Sequence, residues 1–104
     1  MSSNTRRVVV TGMGVCAPGA LEVSQLHELL FSNQSSIRHF PELAQLGFSC
    51  QIGGMPDLSK VQLDDYFDRA WLKGLASKGL IYAALSGREA WIDAGLATAV
   101  PQDY

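Results

Sequence analysis

Val8, Val9 and Val10 form an uninterrupted β-branched run between Arg6-Arg7 and the punctuation Thr11-Gly12-Met13-Gly14. Successive strand residues point to opposite faces, so a run apolar at every position predicts a strand buried on both. That is the habit of parallel sheets covered by helices. Gly12 and Gly14 end the run and let other backbone pass close by. Such a strand needs neighbours on both edges. The one other good strand candidate is Phe48-Ser49-Cys50-Gln51-Ile52, which alternates apolar and polar and is stopped by Gly53-Gly54. Either another molecule completes the sheet, or the chain is a piece of a larger fold.

Helical periodicity accounts for most of the remainder. After Pro18-Gly19, residues Val23, Leu26, Leu29 and Leu30 share one face while Glu22, Gln25 and Glu28 lie elsewhere, predicting a helix over 20–32. Residues 33–36 are a polar break, and Pro41 and Gly47 punctuate the next stretch. Asp64 or Asp65 can cap a short helical turn carrying Tyr66, Phe67 and Trp71. The strongest stripe comes last: Leu72, Leu75, Ala76, Gly79, Leu80, Ala83, Ala84, Gly87, Trp91 and Ala94, followed by Gly95 where a terminating glycine belongs. Its small residues predict close packing in a crowded interior layer, with Arg88 and Glu89 off the stripe, at its edge or in solvent. Gly79 and Gly87 cost roughly 2 kcal/mol of helix propensity relative to alanine, which close packing would have to offset.

Composition sharpens this picture. The 104 residues are 47% hydrophobic and 17% charged, below the roughly 25% charge usual for soluble domains. So apolar a chain implies a surface that a partner covers. A net charge of −2 with no basic stripe excludes a nucleic-acid footprint. No stretch approaches the roughly 20 apolar residues of a membrane span. Arg6-Arg7, the valines and Cys16 faintly resemble a lipoprotein signal, but Gly12 and Gly14 interrupt the apolar run and Val15 is too large to precede such a cysteine. A cytoplasmic protein is expected.

Candidate chemistry is sparse. Cys16 and Cys50 lack any metal or redox spacing and read as reduced thiols. A Cys16–His27 or Cys16–His39 dyad would be a thiol nucleophile with its base, yet nothing in the spacing supports one. Gly12-Met13-Gly14-Val15-Cys16-Ala17 satisfies the dinucleotide pattern as letters. Pro18-Gly19 breaks the helix that the fingerprint requires, however, and no second strand ends in an acidic residue. The expectation is no cofactor, no metal and no catalytic residue.

The motifs together do carry a resemblance. The opening segment from Arg6 to Val15 with Pro18-Gly19 is similar to the N-terminus of β-ketoacyl-acyl-carrier-protein synthases. Ser35-Ser36-Ile37-Arg38, Gln51-Ile52-Gly53-Gly54, Asp65-Tyr66-Phe67-Asp68-Arg69 and Ala90-Trp91-Ile92-Asp93-Ala94-Gly95-Leu96 follow in the family's order. The resemblance implies a partial thiolase-like α/β fold: the first strand, connecting helices and an early buried helix of a layered α/β sandwich. Residues 1–104 would then be the N-terminal portion of one synthase domain, with no separate second domain. The full-length family member would carry out decarboxylative Claisen condensation of acyl and malonyl thioesters in fatty acid or polyketide synthesis.

The nucleophilic cysteine and two histidines that the family uses would lie beyond Tyr104, so the chain is expected to be inactive alone. Cys16, His27 and His39 do not match them. Acyl carrier protein and a homo- or hetero-oligomeric synthase are the implied partners. Arg69 and Lys73 are the candidate carrier-protein contacts, in a segment where Ala70 and Gly74 replace further basic residues common in the family. That departure leaves open a non-catalytic, chain-length-factor-like or stand-alone interaction protein.

Overall fold

The computed structural model describes residues 5–98. Helix α1 spans Val23–Ser32, strand β1 Arg38–His39, helix α2 Pro41–Gln45 and strand β2 Ile52–Gly53. A 3-10 turn at Leu63–Asp65, helix α3 at Arg69–Lys73 and helix α4 at Gly79–Asp93 follow, and a second 3-10 turn covers Leu96–Thr98.

Local signals set most of the boundaries. The tight turn of Ala17 and Ala20, closed by reciprocal bonds of 2.8 and 3.0 Å, delays α1 to Val23, three residues after the start its periodicity predicts. Gly19 makes that turn possible with φ 84°, and Asn33 ends α1 in the left-handed conformation at φ 60°. Asp68 caps α3 by accepting the Ala70 N–H. Gly95, at φ 77°, stops the run after α4 as its position predicts.

Three expectations are corrected. Residues 8–10 form no ladder, and Val8 is 92% exposed. A strand is stable only where something pairs with it, and the described residues offer this segment none. The sheet is instead the short antiparallel pair β1–β2, with Arg38 opposite Gly53 and His39 opposite Ile52. The predicted strand over 48–52 survives only at its end. Phe48 donates its N–H to the Leu43 carbonyl, and the Gln51 side chain donates to the Phe48 carbonyl, so local loop bonds displace the ladder.

The third correction concerns the last helix. The stripe beginning at Leu72 is broken after Gly74, and α4 starts at Gly79, whose N–H donates to the Ser77 hydroxyl at 3.2 Å. Its small-residue face is mostly uncovered in this chain, although Ala84 and Ala94 are half-buried. Gly79, Leu80, Ala83, Gly87 and Trp91 are exposed, and a Cβ on Gly87 would meet nothing within 4 Å. The more covered side is marked by Ile81, Ala84, Leu85, Ser86, Glu89, Ala90 and Ala94, of which only Ala84 and Ala94 belong to the stripe. Ile81 is the helix's only buried residue among those described.

The packing is open. Ala20, Phe40 and Ile81 are the buried hydrophobic side chains among the described residues. The chain exposes 8597 Å², whereas a folded monomer of its mass exposes about 5,700 Å². Its radius of gyration is 18.4 Å, against about 13 Å for a compact chain of this length. Helices and strands are present, but among the described residues no closed sandwich is formed around them.

Candidate functional site

The best-organised region lies where the N-terminal segment crosses the packed side of α4. Gly12 and Gly14 bring the segment against the helix backbone: a Cβ on Gly12 would sit 2.6 Å from the Ala94 nitrogen, and one on Gly14 would overlap the Ser86 carbonyl. Only glycine permits that approach. The intervening backbone then donates to two carboxylates one helical turn apart. Met13 N–H reaches Asp93 Oδ2 at 3.0 Å, and Val15 N–H reaches Glu89 Oε2 at 2.9 Å. The other Glu89 oxygen, Oε1, accepts the N–H of Val23 at 2.8 Å.

Val23 opens α1, and its N-cap residue Glu22 makes no side-chain cap. Glu89 therefore supplies from another helix the acceptor that a local cap would give, with a negative charge at the positive end of α1. Beside this junction is an open groove of about 690 Å³ lined by Met13, Leu21, Val61, Tyr66, Leu85 and Arg88, among others. The Arg88 guanidinium lies 4.8 Å from the centre of the Tyr66 ring, a cation–π contact.

The residues singled out from the sequence fall elsewhere. Arg69 opens α3 and pairs with Asp64 at 3.0 Å, both side chains being largely in solvent. Lys73 stands exposed in the last turn of the same helix. The structure thus puts both on one short, exposed helix, with one of the two charges already engaged. Cys16 is half-buried in the loop leading to α1, and that burial pushes its thiol pKa up. A raised pKa lowers the thiolate fraction, the opposite of what a nucleophile needs. His27 packs on the Phe31 ring and His39 shares a hydrogen bond with Gln51.

Among the described residues, no group of three or more His, Cys, Asp or Glu side chains is placed to hold a metal ion. No helix there is long and apolar enough to cross a membrane. Glu89, read from the sequence as an edge or solvent residue, is the polar centre of the junction. Two signals pointed to it: α1 begins without a Ser, Thr, Asp or Asn cap, and the Gly12/Gly14 pair matches the small residues Ser86, Ala90 and Ala94 in spacing.

A family model described as beta-ketoacyl synthase, N-terminal domain, matches residues 5–102. The chain belongs to that family, which carries with it a thiolase-like fold and a condensing type of function. A comparison with curated proteins finds no match.

Proposed function

We propose that this chain is the N-terminal portion of a β-ketoacyl synthase whose complete form joins an acyl thioester to a decarboxylated malonyl unit. The observation that carries the reading is the family match over residues 5–102. The exposed surface supports it, because an excess of about 2,900 Å² over a folded monomer is what an uncompleted sandwich would leave open. Residues 8–10 would gain their ladder from strands that follow in the complete synthase. In this role residues 1–104 are one continuous part of a single domain, and they position rather than perform the chemistry.

Acyl carrier protein is the proposed partner of the complete enzyme, with Lys73 and Arg69 contributing positive charge to its acidic surface. The Arg69–Asp64 pair favours a second reading, a non-catalytic partner of a full-length synthase, since it neutralises half of that small cationic patch. A cytoplasmic setting goes with either role.

The chain alone, incubated with malonyl- and acyl-carrier protein, should give no ketoacyl product. Co-expressed with the remaining segment of a synthase, it should restore condensation if it is the N-terminal portion. Binding to an intact synthase without a need for complementation would select the partner role. Turnover by the chain alone that is abolished in Cys16→Ala would overturn both.

A further inference from the structure

We infer that Glu89 is a positioning residue that fixes the N-terminal segment on α4 by holding both ends of the loop between Val15 and Val23 in one carboxylate. Each oxygen takes one end: Oε2 the Val15 N–H at 2.9 Å, Oε1 the Val23 N–H at 2.8 Å, both partly buried. The requirement is for two acceptors. A carboxylate offers them, whereas the glutamine amide would turn an N–H₂ donor toward one of the two backbone donors.

The loop between is already shaped to bring its ends together. Ala17 and Ala20 close a two-bond turn, Gly19 takes φ 84°, and Ala20 is 1% exposed. It behaves as a preformed strap whose ends meet at Glu89. Asp93, one turn further along α4, takes the Met13 N–H alone among the described backbone donors outside its helix, in a more exposed setting. Residues 8–10 lie upstream of both anchors, so Glu89, with Asp93 beyond it, sets the place at which the apolar segment leaves α4. Every contact is internal to the chain, and the inference stands whether or not the synthase reading does.

Amide hydrogen exchange on the intact chain tests it, residue by residue. Val15 and Val23 should be protected in the unmodified protein. Glu89→Gln should speed exchange at one or both by about tenfold, as loss of a hydrogen bond to a charged acceptor implies. Leu72, whose N–H donates to the Asp68 carbonyl in α3, should keep its rate. Asp93→Ala should speed Met13 and leave Val23 protected. Unprotected Val15 and Val23 in the unmodified chain would overturn the inference, as would unchanged protection in Glu89→Gln. An equal acceleration at Leu72 would also overturn it, because the loss would then be global unfolding and not release of the strap.

Discussion

Gly14 lies so close to the Ser86 carbonyl that a Cβ on the glycine would overlap the oxygen, with the Ala90 nitrogen next at 2.8 Å. The neighbours are helix backbone and cannot swing aside, so the N-terminal segment and α4 fit together only with a glycine here. Gly14→Ala is expected to destabilise the α4 junction by about 1–3 kcal/mol, the usual range for forced overpacking. Gly87, on the same helix, has open space around its would-be Cβ. Gly87→Ala should therefore stabilise the helix, by about 0.5–1 kcal/mol. Urea titration of the helical circular dichroism for both variants gives the comparison. Equal effects at the two glycines would mean the segment does not lie on α4.

The two thiols should differ in reactivity. Burial raises the pKa of Cys16, while Cys50 is exposed, with a weak 3.8 Å contact to the Ile52 carbonyl. Iodoacetamide near pH 8 should label Cys50 first and Cys16 more slowly. The linkage follows the same sign: a thiol pKa raised by folding stabilises the fold while the thiol is protonated, below its unfolded value. That contribution is lost as pH rises through the higher folded value. Alkaline titration should accordingly loosen the 16–22 loop, and Cys16→Ser should weaken that dependence. Faster labelling at Cys16 than at Cys50 would contradict the burial.

Arg69 and Asp64 form an exposed ion pair, the setting in which such pairs contribute about 0–1 kcal/mol. Asp64→Ala should barely change stability while releasing the Arg69 guanidinium. If the cationic side of α3 meets an acidic carrier protein in the assembled synthase, Asp64→Ala should tighten that contact and Lys73→Glu should weaken it. Both effects should fade as ionic strength rises. Carrier-protein binding measured at low and high salt separates them; a salt-independent loss in Lys73→Glu would mean a packing defect.

What the sequence made legible was local. The α1 stripe of Val23, Leu26, Leu29 and Leu30, the break at Asn33 and the stop at Gly95 are decided by neighbours a few residues away, and each stands within three residues of its expected place. The orientation of α4 was not legible in that way. The stripe selects Leu80, Ala83, Gly87 and Trp91, which stand exposed, and misses Ser86, Glu89 and Ala90, which the N-terminal segment covers; of its members, Ala84 and Ala94 are half-buried. Glu89 was obscured for the same reason: a charged residue off an apolar stripe reads as solvated until its two backbone donors are brought to it. The valine run shows the reverse case, because a period-free apolar segment states that it wants burial and not what will bury it.

That unmet demand gives the last prediction. Val8, Val9 and Val10 are at least 69% exposed, with no ladder partner among the described residues. An exposed, uncharged, β-branched segment of this kind templates pairing with other chains. The chain by itself should associate as its concentration rises and should bind a hydrophobic dye such as ANS, as loosely packed states do. Val9→Lys puts a charge in the centre of the run, a substitution that blocks edge pairing. It should shift the chain toward monomer in sedimentation without altering the exchange protection of Val15 and Val23, which depends on Glu89 further along. If the chain is the N-terminal portion of a synthase that buries residues 8–10, the same substitution should be severely destabilising there, because the lysine would have to be buried without a partner. A sharply cooperative monomer with dispersed amide resonances and no dye binding would mean that the chain closes its own core, and residues 8–10 would then have no need of a covering surface.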